Sequence, residues 1–324
     1  MVMQFSIVTP SYNQAQYLEL TLLSVLRQDY PELEYFVIDG GSTDGSQQII
    51  EDYRSELDWW ISKADSGQAD AINKGFRRAR GEILAWLNSD DLYLPWTIRE
   101  AAAVFEENPA VEMVYGDAVS ADAQGNLLNA LRFQQYQLRD LLQFKMICQP
   151  AVFFRRSLLE RTGLLDESYH FFLDHQLWIR MARQTQPVHL PRVLAVSRYH
   201  PEAKNVTMAT QCGEEVYRIL NWAGRQPDLR EIIQNNHGRV LSGTHQIHAR
   251  YLLDGGKPRQ ALKNYLKAVW ACPTALFRVW HRLLFAALSV LGLGFLGDWY
   301  YNLKKLRKPH FKGIEQLSDW PGTP

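Results

Sequence analysis

Apolar and polar positions change rhythm at short intervals over the first part of the chain. Residues 5–9 form a compact apolar, β-rich run that stops at Pro10, which predicts a buried strand entering a loop. Tyr17, Leu18, Leu20, Leu22, Val25 and Leu26 then recur at helical spacing and predict a helix over 16–28. Residues 34–38 predict a second strand, running into Asp39-Gly40-Gly41. A helix over 46–55, a short strand over 59–62, a helix over 68–79 and a strand over 83–87 follow. This alternation is the pattern of a mostly parallel sheet covered by helices.

The alternation loosens after residue 95. A helix is expected between Pro95 and Pro109, then strands over 111–133 with turns at Gly116-Asp117 and Gly125-Asn126. Helices near 156–162 and 173–184 and strands near 188–198 continue the same domain as a mixed sheet. After about 208 the strands stop. Residues 211–224, 228–240, 243–254 and 258–271 read as helices, punctuated by Pro227, Gly255-Gly256 and Pro258. The expected organisation is an α/β domain over 1–208 and an all-helical C-terminal region over 209–324.

Residues 283–296 are a continuous apolar stretch, preceded by Arg278 and Arg282. Trp299, Tyr300, Tyr301, Lys304, Lys305, Arg307 and Lys308 follow it. As a helix it would rise ~21 Å, short of a hydrocarbon core of ~30 Å. Aromatic and basic flanks suit a bilayer interface, so the segment near 276–308 is a candidate for membrane association. The same pattern also fits a buried hairpin helix with a solvated basic tail.

Composition narrows the class. With 46% apolar and 22% charged residues the chain is globular. Lys+Arg and Asp+Glu are equal at 35 each, which argues against a nucleic-acid partner. The balance hides an asymmetry: residues 1–208 carry a net charge of −8 and residues 209–324 carry +8. An acidic portion is thus followed by a basic one suited to an anionic membrane surface. Cys148, Cys212 and Cys272 are scattered, without a C-x-x-C pair, which supports neither a disulfide framework nor a zinc site and fits a reducing compartment. Residues 1–10 lack a basic stretch followed by a long apolar one, so no signal peptide is expected.

Acidic residues sit where strands should end. Asp39 follows the second strand, Asp90 and Asp91 follow the strand at 83–87, and Thr9 to Asn13 follows the first. In open α/β sheets ligands bind at the carboxyl ends of strands. Asn88-Ser89-Asp90-Asp91 is a compact carboxylate site. Adjacent carboxylates suit a hard divalent ion that bridges protein and substrate phosphates, and they also suit a helix cap. Asp39 to Gly45 is glycine-rich but is neither a Walker A loop nor a dinucleotide fingerprint. Gly67, Asp70, Asn73 and Lys74 open a helix, and Lys74 can meet a phosphate as a point charge. The alternative for each is an ordinary turn or a solvated helix face.

Taken in order, Ser6 to Asn13, Ile38 to Gly45, Gly67 to Gly75 and Leu87 to Asp91 resemble family 2 glycosyltransferases of the GT-A fold, of the bacterial surface-polysaccharide type. Phe172 to Arg180 resembles the family's second acidic motif, so the resemblance covers about 3–205. It implies a GT-A fold: a mixed, mostly parallel sheet flanked by helices.

It also implies roles. Pro10, Tyr12, Asn13 and Asp39 hold the nucleotide base and ribose. Gly67, Asp70, Asn73, Lys74, Asn88, Ser89 and Asp90 continue the nucleotide site. Asp90 and Asp91 hold Mn²⁺ or Mg²⁺ against the diphosphate, with His200 as a third candidate ligand. Asp174 is the catalytic base, followed on its helix by Trp178. Asn88 stands where many members have an Asp, and Ile72 where many have an Arg. Lys204 is a further candidate for the diphosphate, and Gln149-Pro150 for the acceptor side. His237, His245 and His248 read as structural.

The expected activity is that of an inverting, metal-dependent glycosyltransferase of the hexosyltransferase type. It would move a sugar from a nucleotide-diphosphate sugar, in the first place a UDP-sugar, to an acceptor hydroxyl. The acceptor would be a lipid-linked or growing surface-polysaccharide glycan at the cytoplasmic face of the membrane. A nucleotidyltransferase is disfavoured because Thr9 to Gln14 has no glycine and no basic residue. The alternative from another class is a non-catalytic sugar-nucleotide-binding or scaffold protein.

Overall fold

The computed structural model describes residues 2–293. Strands are β1 (Phe5–Ser11), β2 (Leu33–Asp39), β3 (Trp59–Ser62), β4 (Ile83–Trp86), β5 (Leu92–Tyr93), β6 (Met113–Asp122), β7 (Leu127–Leu131), β8 (Val152–Arg155) and β9 (Val188–Tyr199). Helices between them are α1 (Ala15–Leu26), α2 (Ser46–Asp52), α3 (Gln68–Arg78), α4 (Thr97–Glu107), α5 (Leu138–Leu142), α6 (Arg156–Thr162) and α7 (Leu173–Ala182). Beyond the sheet come α8 (Lys204–Thr207), α9 (Ala209–Arg225), α10 (Pro227–Asn235), α11 (His237–Asp254), α12 (Pro258–Ala271) and α13 (Leu276–Val290). Over the described residues, one compact unit holds 2–137 and 147–199 and a second holds 138–146 and 200–293.

The first unit is built on one mixed sheet in the order β3-β2-β1-β4-β8-β6-β9-β5, with β7 on β6. β1, β2, β3 and β4 are mutually parallel and bring their carboxyl ends to one edge. A strand covered on both faces reads as an uninterrupted buried run, and every residue of β1 is buried. One face packs Leu18, Leu22 and Val25 of α1 and Ile98 and Phe105 of α4 against Phe5, Ile7 and Val37. On the other side Phe76, Trp86, Phe154 and Trp178 form a chain of aromatic contacts.

The strand that stops at Pro10 by sequence continues to Ser11. β4 pairs with β1 only as far as Val8, so the missing Pro10 amide removes no ladder bond on that side. The turn expected at Gly116-Asp117 is absent: β6 runs straight through, while its register on β9 jumps from Leu190 to Val193. A Cβ on Gly116 would lie 2.5 Å from the Leu194 side chain, so this glycine serves a close approach beside a bulge.

In the second unit, the helix expected over 228–240 divides. The Asn236 side chain donates to the Ile232 carbonyl at 2.9 Å and closes α10, and 237–254 form a single helix, α11. His245 and His248, one turn apart, both point Nδ1 at the Tyr217 hydroxyl, at 2.8 and 3.3 Å. Burial and the Lys267 charge hold His245 below its ordinary range, and burial does the same for His248. α13 ends at Val290, and Gly292 turns the chain with φ +78. Among the described residues no helix is long and apolar enough to cross a membrane. Residues 294–296 of the apolar stretch and the aromatic and basic run from Trp299 to Lys308 lie outside the described residues.

Candidate active site

The loops that leave β1 and β2 are tied together. The Gly40 amide donates to the Ser11 carbonyl at 2.8 Å, and the Asn13 amide donates to Ser42 Oγ at 2.8 Å. Asn13 Oδ1 accepts from the Thr43 amide at 2.9 Å, with Asn13 in the left-handed region that asparagine tolerates. Asp39 is fully buried. Its Oδ2 accepts from the amides of Gly41 and Ser42 and from Ser62 Oγ, and its Oδ1 accepts from Ser42 Oγ. Its carboxylate therefore organises the loop. Pro10 is buried in β1, whereas the Tyr12 ring is 63% exposed. A Cβ on Gly40 would lie 2.9 Å from Asp65 Oδ2 and 3.2 Å from Tyr12, so this glycine allows both side chains to approach the backbone closely. Burial pushes the Asp65 carboxyl up, with the charges of Asp70 and Asp39 adding to it.

α3 divides its polar residues between two tasks. The Gly67 amide donates to Asp65 Oδ1 at 2.9 Å, and the Ser66 amide donates to Asp70 at 3.0 Å. That backbone bond, outweighing partial burial and joined by Lys74 at 2.9 Å, holds the Asp70 carboxyl below its ordinary range. Asn73 is buried and clamps a distant loop. Its Nδ2 donates to the Leu165 carbonyl and its Oδ1 accepts from the Leu165 amide, both at 3.0 Å. Ile72 is wholly buried, so it leaves no cation on that face.

The acidic loop after β4 is held from three directions. The Thr21 hydroxyl of α1 lies 2.8 Å from both the Ser89 and Asp91 carbonyls. From β9, the Arg198 amide donates to Asp91 Oδ1 at 3.0 Å. The Arg198 guanidinium donates to the Asp90 carbonyl and, at 3.1 Å, to the Tyr17 carbonyl and Thr21 Oγ1. Asn88 is a junction: Oδ1 accepts from Gln68 at 2.7 Å, and Nδ2 donates to Gln149 Oε1 at 3.1 Å and to Asp91 Oδ2 at 3.3 Å. Gln149 in turn donates to the Trp86 carbonyl at 2.7 Å. Burial, then the adjacent Asp90 charge, pushes the Asp91 carboxyl up to about 8 despite the Arg198 bond and charge.

Asp174 stands in the first turn of α7 and accepts from the His175 amide at 2.6 Å. Burial, then the charges of Asp91 and Asp174, pushes the Cys148 thiol up. Trp178 stacks on Trp86 with centroids 5.2 Å apart. The Arg180 guanidinium ties α7 to the carbonyls of Thr162, Gly163 and Leu164 at 2.6 to 2.9 Å.

His200 and Lys204 belong to the second unit. There His200 Nδ1 lies 3.2 Å from Glu202 Oε2, and burial lowers the Lys204 ammonium against the pull of Glu215. Among the described residues no group of three or more His, Cys, Asp or Glu side chains is arranged to hold a metal. A divalent ion shared with substrate phosphates needs only one or two protein carboxylates, and the adjacent carboxylates of Asp90 and Asp91 fit that chemistry. Three residues at this edge are not among the sequence candidates: Asp65, Gln68 and Arg198, the last two bonded to Asn88 and to Asp90 and Asp91.

The sequence profile described as Glycosyl transferase family 2 matches residues 6–163. A PGL/p-HBAD biosynthesis glycosyltransferase of Mycobacterium bovis is 32% identical over 180 residues, 54% of this chain and 68% of that one. An uncharacterized glycosyltransferase of Rickettsia typhi is 27% identical over 250 residues, 75% of this chain and 76% of its own. S. aureus TarS 1–349 in complex with UDP-GlcNAc has a TM-score of 0.59 at 19% identity, over 96% of this chain and 100% of that one. The mannosyltransferase PcManGT of Pyrobaculum calidifontis, solved with GDP-Man and Mn²⁺, also reaches 0.59, at 20% identity over 91% and 88% of the two chains. These structures bear on the fold, which is GT-A. The chain belongs to glycosyltransferase family 2 and is a glycosyltransferase.

Proposed function

We propose that the chain is an inverting, metal-dependent transferase that uses a nucleotide-diphosphate sugar, in the first place a UDP-sugar. The acceptor is a hydroxyl of a lipid-linked or growing polysaccharide glycan at the inner face of the membrane. The observation that carries this reading is the buried acidic loop after β4, where Asn88, tied to Gln68 and Gln149, donates to Asp91 Oδ2 beside the Arg198 amide on Asp91 Oδ1.

In this reading the exposed Tyr12 ring receives the base, with Asp65 as its polar neighbour. Asp39 and Asn13 act by holding the loop in shape. Asn88, Ser89 and Asp90 face the ribose and diphosphate, and Lys74 reaches the phosphates from its Asp70 partner. Asn73 positions the loop at Leu165. Asp90 and Asp91 would hold Mn²⁺ or Mg²⁺, and such an ion would supply charge to offset the departing diphosphate. Asp174 accepts the proton of the acceptor hydroxyl as its oxygen bonds to the anomeric carbon. The bond from that carbon to the diphosphate oxygen breaks, and the configuration inverts.

The test is release of nucleoside diphosphate from a panel of UDP- and GDP-sugars with Mn²⁺, Mg²⁺ or EDTA. The expected result is turnover of one donor that EDTA abolishes and Asp91→Ala loses. Equal turnover in EDTA removes the metal from the reading, and a product with retained configuration removes the mechanism. Nucleotide binding without turnover of any donor, with a glycan acceptor supplied, favours a scaffold.

A further inference from the structure

The helical unit carries an apolar surface that its own core does not use. α13 has two apolar faces. Val279 and Ala286 are buried and, with Leu283, pack against Leu252, Ala261 and Tyr265. Phe277, Trp280 and Leu284 recur three and four residues apart on another face and are 83%, 57% and 50% exposed. α12 buries Ala261, Tyr265 and Ala268, while Leu266 and Trp270 point outward, the latter 88% exposed. Single exposed apolar residues are ordinary. Two tryptophans and a phenylalanine exposed on consecutive helices that pack against each other call for a partner.

The charge around the patch selects the partner. Between Asp254 and Asp298 the chain has no acidic residue, and Lys257, Arg259, Lys263, Lys267, Arg278 and Arg282 are all basic. Arg259 and Lys263 are exposed and fall on the helical stripe that continues through Leu266 and Trp270. A second copy docking through this face would set like charges against each other in a self-complementary interface. An anionic surface meets no such penalty. Tryptophan beside Lys and Arg is also the composition that settles at the headgroup level of a bilayer.

We propose that the exposed face of α12 and α13 docks the protein in the plane of an anionic lipid bilayer. Trp270, Phe277 and Trp280 enter the headgroup region, and Arg259 and Lys263 meet lipid phosphates. α13, with 15 residues, rises about 22 Å and is too short to span, so the contact is in-plane. This inference concerns where the chain sits, and it stands apart from the sugar chemistry.

The experiment is flotation of the full chain with vesicles of phosphatidylcholine alone or mixed equally with phosphatidylglycerol. Wild type should partition about tenfold more strongly onto the anionic vesicles, and the preference should fade at high salt. W270S/F277S/W280S should lose about tenfold in partition while keeping its melting temperature, because the side chains lie on the surface. R259E/K263E should lose the preference for phosphatidylglycerol. Absence of wild-type binding, or binding of the triple variant equal to wild type, overturns the proposal. So does a dimer, seen by light scattering without vesicles, that the triple variant dissolves, since the occupant is then a second copy. Nucleoside diphosphate release in vesicle-free buffer should be the same in wild type and triple variant. Failure of the surface therefore leaves the transferase reading standing, and failure of that reading leaves the vesicle result intact.

Discussion

The Arg198 amide donates to Asp91 Oδ1 at 3.0 Å across 107 positions of sequence, and the same residue's guanidinium grips the Asp90 carbonyl. β9 thereby supplies both the shape and part of the counter-charge of the acidic loop. Arg198→Ala should cost about 3 kcal/mol, because it leaves a buried carboxylate less compensated and strips a partner from the Tyr17 carbonyl. Urea unfolding measures the cost. Arg198→Lys should recover part of it, and full stability in the alanine variant would show that the loop holds itself.

Asp174→Asn keeps the size of the side chain and removes its basicity. Turnover should fall by about 10²- to 10⁴-fold. Nucleotide affinity, measured by calorimetry, should stay close to wild type because the change lies on the acceptor side of the proposed reaction. Unchanged turnover would assign the proton transfer to another group.

Asn73 and Lys74 are neighbours with opposite expected behaviour. Asn73→Ala removes two buried backbone bonds to Leu165 and should destabilise by about 2 kcal/mol in a denaturant titration. Lys74→Ala breaks a one-third exposed contact with Asp70 and should leave stability nearly unchanged. It should instead raise the donor KM by roughly tenfold if the ammonium meets a phosphate. A shift in stability from Lys74→Ala with KM intact would reverse the assignment.

The histidine pair sets a pH dependence. His245 and His248 are held below their ordinary value of 6.5, first by burial, with Lys267 opposing protonation of both and Glu214 favouring it at His248. The unfolded chain therefore takes up these protons at higher pH than the native one. The stabilisation is present above pH 6.5 and is lost as the pH falls through the lower native values. The melting temperature should drop between about pH 7 and pH 5, and His245→Asn/His248→Asn should flatten that part of the profile. An identical slope in the double variant would place the titration elsewhere.

Much of this protein can be read along the chain. Continuous apolar runs at 5–9, 34–38 and 83–87 mark strands because a parallel strand covered on both faces must be apolar throughout. The acids that follow them, Asp39, Asp90 and Asp91, fall at one sheet edge for the same reason. Local rules reach no further than the neighbours they involve. Gly116 carries the signature of a turn, and only the proximity of Leu194 on β9 explains why the strand continues. Asn73 looks like a polar helix face until Leu165, 92 residues away, takes up both ends of its amide. Arg198 has no motif at all, because its role depends on β9 closing over a loop contributed by β4. On α13 the apolar pattern shows that the helix is sticky, and packing decides that Val279 goes inward and Trp280 outward. Sequence alone determines which segments become strands and helices, since backbone sterics and side-chain periodicity act over a few residues. Tertiary structure decides which polar groups satisfy one another, since a buried donor takes whichever acceptor the closed sheet brings within 3 Å.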